Sequence, residues 1–395
     1  MKVIIAGGGI GGMSAALALL KKGIDVEVYE QAAELKEVGA GIQISPNGCR
    51  ALDELGVFQT LKGLSCDPVR KEFRLWNTGK AWTLFDLGKN AIEKYGYPYL
   101  TVYRPDLLDT LINAVRDLKP DAIHLGARAA GLEQDETRAT LVLEDGRKIT
   151  GDVLIGADGW RSVIRNTLWG ECNPHFSGMV TWRGLIPMKD LPAHMQVHVG
   201  STWIGPGAHV VSYPLHRGAI MNFVATIENK TWSSQAGCEP GTTEECLDDF
   251  KGWHEDVQTM IRLCPSLLKW ALMKREPIER WSLGRVSLVG DACHATLPFL
   301  AQGAVHSIED GVVLARCLEA DKSLPAAALS RFEKARIERT SRMVRGATSN
   351  TGRFHSEELA TEESAEKYLA REWSSDPIAD RYDWLYSYDA AKAPI

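Results

Sequence analysis

Lys2-Val3-Ile4-Ile5-Ala6-Gly7-Gly8-Gly9-Ile10-Gly11-Gly12 opens the chain, and the fold is decided there. Val3 to Ala6 are uninterruptedly apolar, as in a parallel strand buried on both faces. Gly7, Gly9 and Gly12 follow in G-x-G-x-x-G spacing. In that pattern the first glycine permits the tight turn, the second lets a pyrophosphate approach the backbone, and the third lets helix and strand pack closely. Ile10 to Lys22, rich in Ala, Leu and Met, reads as a helix stopped by Gly23. Its N-terminus would face the phosphates. Asp25 to Tyr29 reads as a second strand, with Glu30 at its end where a carboxylate can accept from a ribose hydroxyl. A glycine-rich turn without a ligand is the other reading of the cluster alone. Strand, helix, second strand and acid in register favour a dinucleotide, and leave NAD and FAD both open.

The chain has 395 residues, of which 45% are hydrophobic and 24% charged, with a net charge of −6. That length suits two or three domains, and the charge carries no footprint of a nucleic-acid binder. No apolar run approaches the ~20 residues of a membrane span. The apolar N-terminus breaks at the glycines without a signal-cleavage pattern. The eight cysteines form no CxxC pair and no zinc-type spacing with histidine, so they read as reduced residues. His294 and His306 lack ligand partners at helical spacing, so no metal is expected. The helix around His306, Glu309 and Asp310 reads as packing plus a solvated face. A cytoplasmic protein is expected, without nucleic-acid or membrane partners.

Further along, Pro105 to Leu118 reads as a helix, residues 122–152 as a β-meander turning at Glu144-Asp145-Gly146, and Leu324 to Gly346 as a long helix. Two more short apolar strands run into turns: Val153–Ile155 into Gly156-Ala157-Asp158-Gly159, and Arg285–Val289 into Gly290-Asp291. Residues 173–273 alternate in strand fashion and carry many aromatic, Gly and Pro residues. They read as a mostly antiparallel sheet inserted into the nucleotide domain, with strands added from 71–86. The tail from 347 is too aromatic for disorder. It is expected to pack on the body or on the partner of a homodimer.

Together the glycine cluster, Gly156-Ala157-Asp158-Gly159-Trp160-Arg161-Ser162 and Gly290-Asp291-Ala292-Cys293-His294 resemble the group A flavoprotein aromatic hydroxylases over nearly the whole chain. The nearest likeness is to the branch of salicylate 1-hydroxylase, 6-hydroxynicotinate 3-monooxygenase and 3-hydroxybenzoate 6-hydroxylase. The resemblance implies an α/β fold: a Rossmann-like FAD-binding domain of the GR2, PHBH-like type with an inserted, mostly antiparallel substrate domain. The expected division is 1–70, 100–172 and 274–346 for FAD, 71–99 and 173–273 for substrate, and 347–395 as the tail. It implies that Gly7, Gly9, Gly12 and Glu30 hold the ADP part of FAD, with backbone near Ala129 at the adenine. Asp291 would hold the ribityl chain and Asp158 would lie near both FAD and the nicotinamide. Val38-Gly39-Ala40-Gly41-Ile42 and Ser45-Pro46-Asn47, with Gln43 between them, match the segment along the isoalloxazine. Arg104 matches an arginine that reaches FAD. Pro298 to Ala304, including Gln302 and Gly303, matches the loop beneath the flavin, whose helix N-terminus favours an anionic reduced flavin.

The implied reaction uses NAD(P)H and O2 and proceeds through a flavin C4a-hydroperoxide that hydroxylates an activated aromatic ring. NAD(P)H would bind transiently, since no second dinucleotide-binding unit is present. The small aromatic substrate needs a base for its hydroxyl. In the strand pattern His209-Val210-Val211-Ser212-Tyr213, residues 209, 211 and 213 share a face. By resemblance Tyr213 stands beside the substrate hydroxyl and His209 is its partner, giving a His–Tyr relay; local packing is the other reading of both. Val211, Pro298 and Phe299 would line the pocket. Hydroxynicotinate enzymes carry histidines where Gln43 and Phe299 stand, and the 3-hydroxybenzoate enzyme a glutamine near Pro298. Elimination leaves a salicylate-like carboxylate, hydroxylated with or without decarboxylation. The other readings are a pyridine carboxylate, a larger non-carboxylate compound, and a flavin-binding protein without turnover. Arg183 and Arg217 are candidate carboxylate partners.

Overall fold

The computed structural model describes residues 1–35, 41–171, 174–229, 231–232 and 237–395. Val38, Gly39 and Ala40, expected along the flavin, lie outside the described residues. The apolar opening forms the strand Lys2–Ala6 at the centre of a five-stranded parallel sheet. Across the sheet the order is Val286–Leu288, Val153–Gly156, Lys2–Ala6, Asp25–Tyr29 and Ile123–His124. Both faces are covered, which is why these strands read as continuous apolar runs. One correction follows: Ile123–His124 joins this sheet, and only residues 129–151 form the three-stranded antiparallel meander.

An eight-stranded sheet stands beside it. Its order is Cys238–Gly241, Leu267–Lys274, His175–Pro187, Ile220–Glu228, Ala208–Leu215, Val199–Gly205, Arg70–Leu75 and Ala81–Asp86. All pairings are antiparallel except Val199–Gly205 with Arg70–Leu75. The two strands from 70–86 thus extend a sheet whose other strands come from far along the chain.

The helix Ile10–Lys21 packs against Gly303–Ala320 and Arg104–Leu118. At the first contact a Cβ on Gly311 would stand 2.7 Å from the Ser14 carbonyl carbon, so glycine sets the close approach. The long helix runs Pro325–Phe354, past the expected stop at Gly346. Ala347, Asn350 and Phe354 continue its buried stripe at helical spacing, and that burial carries the helix on. The helices Glu362–Glu372 and Ser375–Tyr386 then fold back on the same chain. Trp373, Tyr382 and Tyr386 are buried in a cluster with Phe73, Tyr99 and Phe354. No helix among the described residues is long and apolar enough to cross a membrane.

The expectation of a solvated face at His306, Glu309 and Asp310 is wrong: all three are 0% exposed. Arg336 from the long helix donates to Asp310 Oδ1 at 2.8 Å and forms an ion pair with Glu309 at 2.8 Å, and Arg339 bonds Glu309 from the other side. Opposite charge supplied by a distant helix is what lets these acids be buried. Cys293, His294 and Asp310 cluster closely enough to suggest a cation. Arg336 already supplies the positive charge there, and His294 Nε2 bonds Asp310 at 2.6 Å.

Replacing Arg336 with Met would strand two buried carboxylates and should cost roughly 3–5 kcal/mol, read as a lower denaturant midpoint. Burial pushes Asp310 up, but His294 and Arg336 outweigh it and hold the carboxyl at about 2. A depressed folded pKa stabilises above the unfolded value. Wild-type stability should therefore fall as pH drops from about 4, and the slope should flatten in Asp310→Asn.

Candidate active site

A cavity of about 430 Å³ opens where the two large sheets meet. From the nucleotide side it is lined by Gly9, Gly11, Arg104, Gly290, Asp291, Gln302 and Gly303. From the large sheet come Lys71, Arg183, His209, Val211 and Tyr213, and from the connecting loop Pro298 and Phe299. Residues expected at the flavin and at the substrate, separate in sequence, share one space.

The glycine cluster is built as its spacing demands. Gly7 has φ +112°, and a Cβ on it would meet the Ala157 carbonyl oxygen at 2.3 Å. A Cβ on Gly12 would meet the Gly7 carbonyl oxygen at 2.0 Å, whereas one on Gly9 would meet nothing within 4 Å. Gly9 caps the helix without a side-chain bond, leaving first-turn N–H groups for an anion. Glu30 accepts from the N–H groups of Gly8 at 2.6 Å and Ala32 at 2.8 Å, which fixes it at the end of its strand. Ala129 lies off the cavity, two residues beyond Ala127, whose N–H donates to the Glu30 carbonyl. Asp291 lines the cavity with no hydrogen-bond partner among the described residues, after Gly290 at φ +61°. An exposed carboxylate, free helix N–H groups and a Cβ-free cradle fit the pyrophosphate and polyol of FAD.

Asp158 sits between Ala157 and Gly159, which both line the cavity. Its carboxylate accepts from the N–H groups of Val163 at 2.7 Å and Ile164 at 3.1 Å and from Ser162 Oγ. These bonds hold it at the N-terminus of the helix Val163–Trp169, whose N-cap is Ser162. Gln302 is likewise engaged: its amide donates to Ser45 Oγ at 2.8 Å and accepts from Asn47 at 3.2 Å, tying the loop to the helix Pro46–Glu54.

On the large sheet, register arranges the cavity wall in rows. Lys71 pairs with Gly200, which the same register sets against Tyr213. Phe73, Thr202, Val211, Val224 and Arg183 form the next row, and Ile204, His209 and Thr226 the third. Gly200 has no side chain to separate Lys71 from Tyr213. A direct His209–Tyr213 bond, as the relay requires, is absent. Four residues along a strand span about 13 Å, so the two mark opposite ends of the wall with Val211 between. His209 Nδ1 instead meets His355 Nε2 at 2.7 Å. The Gln43 amide donates to the Tyr213 oxygen, and its own Oε1 accepts from Tyr99 at 2.7 Å. Burial pushes the Tyr213 phenol up, so it stays protonated and a donor. Burial holds His209 well below its ordinary value, hence neutral.

Two cations in this wall have almost no protein partners among the described residues. Arg183 Nε is buried without a hydrogen bond, and the guanidinium lies 5.3 Å over Trp270. Lys71 Nζ has only Gln43 Oε1 at 3.4 Å and the Tyr99 ring. Enclosure lowers its amine to about 8. Arg217, the other candidate, donates to the Gly63 carbonyl on the exterior. Lys71 and His355 escaped the sequence reading, since neither sits in a motif.

A family profile described as FAD binding domain matches residues 1–347. The 3-amino-4-hydroxybenzoate 2-monooxygenase of Streptomyces platensis is 35% identical over 390 residues, covering 99% of this chain and 96% of that one. The 3-hydroxybenzoate 6-hydroxylase of Polaromonas naphthalenivorans is 33% identical, with 98% and 96% covered. The crystal structure of Klebsiella pneumoniae HpxO with FAD and uric acid superposes with a TM-score of 0.84 at 26% identity, covering 100% and 97%. The chain belongs to the FAD-binding group A aromatic hydroxylases. It is an FAD-dependent aromatic monooxygenase, and NAD(P)H is the reductant typical of that family.

Gly12→Ala forces its new methyl into the Gly7 carbonyl. The purified variant should lack the flavin absorbance of the wild type while keeping its far-ultraviolet circular dichroism.

Proposed function

We propose that this enzyme hydroxylates a hydroxybenzoate whose hydroxyl lies meta or para to its carboxylate. The supporting observation is the pair of under-partnered cations, Lys71 and Arg183, in a wall whose other end is His209. Buried cations require an anion, and Asp291 is the only carboxylate among the described lining residues. The proposal sets the substrate carboxylate near Lys71, Arg183 and the Tyr213 hydroxyl, and its phenol toward His209. Such separation suits a meta or para hydroxyl better than salicylate, whose two groups are adjacent. The relatives acting on 3-amino-4-hydroxybenzoate and 3-hydroxybenzoate point the same way. Under this reading residues 1–70, 100–172 and 274–346 hold FAD, while 71–99 and 173–273 hold the substrate.

When bound, FAD supplies reduction by NAD(P)H and activation of oxygen. Gly7, Gly9, Gly12 and the first-turn N–H groups would hold its pyrophosphate, with Glu30 and Ala129 at the adenosine end. Asp291 would hold the ribityl hydroxyls. Arg104, Gln43, Gln302 and Gly303 would border the ring. Lys71 and Arg183 would orient the substrate, Val211, Pro298 and Phe299 would exclude water, and His209 would take the phenolic proton, raising electron density on the ring.

The deciding assay measures NADH and NADPH consumption with product analysis for 3-hydroxybenzoate, 4-hydroxybenzoate, 3-amino-4-hydroxybenzoate, salicylate and 6-hydroxynicotinate. Coupled hydroxylation of a meta or para substrate is expected; coupling with salicylate or the pyridine alone would overturn the assignment. Lys71→Met should weaken binding of the preferred carboxylate about 10–100-fold, the 1.5–3 kcal/mol of a charge-assisted bond. Phenol itself should bind wild type and variant alike. Because the lysine is cationic only below about 8, wild-type affinity should fall as pH rises through that value, and the Lys71→Met profile should be flat there.

A further inference from the structure

The Ala208–Leu215 strand, the end of the long helix and the end of the Ile220–Glu228 strand bring three titratable side chains into one line. His209 lines the cavity and is 2% exposed. Its Nδ1 meets His355 Nε2 at 2.7 Å, and His355 Nδ1 meets Glu228 Oε1 at 2.9 Å. The His355 side chain is 1% exposed and that of Glu228 is 53% exposed. The line therefore starts in the cavity and ends at solvent. We propose that His355 and Glu228 fix the tautomer of His209 and receive the proton that it takes from the substrate, making them positioning and relay residues for the hydroxylation. This rests on the hydroxybenzoate reading for the identity of the proton donor, but not for the resting state of the two rings.

Donor and acceptor roles follow one by one from the outer end. An ionised Glu228 can only accept, so His355 carries hydrogen on Nδ1. Burial lowers His355, Glu228 only partly offsetting it, and the ring is neutral. A neutral ring protonated at Nδ1 has a bare Nε2, which accepts from His209 Nδ1–H. His209, also neutral, then has a bare Nε2. No protein donor meets that nitrogen among the described residues, and the ring borders the cavity. In water the Nε2–H form of neutral histidine is the commoner one; here the carboxylate imposes the opposite tautomer on both rings.

The transfer balances. The substrate O–H bond breaks as His209 Nε2–H forms, and His209 Nδ1–H breaks as His355 Nε2–H forms. His355 becomes an imidazolium, doubly protonated, beside the Glu228 carboxylate, and the substrate becomes a phenolate. The same two shifts in reverse return the proton when product leaves. Among the groups facing these rings, Phe299 and Phe354 are uncharged, and Thr226, opposite His209 in register, shares its hydroxyl with Thr181 at 2.9 Å. His355 and Glu228 are the charged or titratable groups in contact.

The experiment uses the FAD-loaded enzyme with 15N-histidine labelling, first without ligand and then with 3-hydroxybenzoate as probe. Without ligand, His209 and His355 should both be Nδ1–H tautomers; an Nε2–H His209 would overturn the proposal whatever the substrate is. With the probe bound, the near-ultraviolet difference spectrum should show phenolate, and His355 should gain its second proton. In Glu228→Gln the pH at which half of the bound probe is ionised should rise by about one, a tenfold loss of phenolate at fixed pH, the size expected when a neighbouring charge is removed. The dissociation constant of benzoate, which has no hydroxyl, should be unchanged. Glu228→Asp should restore ionisation. A Glu228→Gln protein that ionises the probe like the wild type would overturn the relay. Failure of the wild type to bind the probe, with both rings found as Nδ1–H, would instead sink the hydroxybenzoate reading alone.

Discussion

The buried ion cluster of Glu309, Asp310, Arg336 and Arg339 joins the turn before Asp291, the loop at Gln302 and the C-terminal tail. Asp310 accepts from the N–H of Gly290 at 3.0 Å and so sets the turn that presents Asp291. Glu309 accepts from Asn47 at 2.7 Å, which also reaches Gln302. Arg339 donates to the Trp384 carbonyl at 2.9 Å and lies over the Tyr388 ring at 3.7 Å, pinning the C-terminal tail. Charges with no water nearby tolerate little displacement, because each lost partner leaves an unsolvated ion. A cluster of this kind contributes less to net stability than to fixing relative positions. Here the positions fixed are the aspartate turn, the loop toward the cavity and the end of the chain.

The cavity inherits its character from that junction. One wall is backbone and small residues at strand ends, suited to a cofactor that brings its own chemistry. The opposite wall is sheet, where alternation and register assign each side chain a row. Cations occupy the rows toward one end and neutral imidazole the other, so the wall carries an electrostatic gradient along its length. Orientation of a small ring would come from that gradient and from the aromatic edge of Phe299, 4.9 Å from His209. The tail takes part through the helix that ends at Phe354 and His355, rather than as an appendage.

Much of this was legible in the chain because it is local. Each glycine in the cluster answers to a contact within a β-α-β unit, and Gly290-Asp291 follows directly from its strand. The strands of 71–86 were legible by alternation, as was the shared face of His209, Val211 and Tyr213. What failed did so for identifiable reasons. The acids at 309 and 310 looked solvated because their countercharges lie 26 to 30 residues later in sequence, at Arg336 and Arg339. The His209–Tyr213 pair respected the face of the strand but not its length.

The sequence by itself determined the nucleotide fold, the family and several of the segments that line the cavity, since hydrophobic period and glycine spacing act over a few residues. Only the tertiary structure decided that Lys71 and Tyr213 flank a bare Gly200, that Arg183 Nε is buried without a hydrogen bond among the described residues, and that His209 meets His355 through Nδ1. Those relations join residues up to 146 positions apart. They depend on strand register and on where a long helix stops, and both are fixed by packing between segments that carry no local signal of one another.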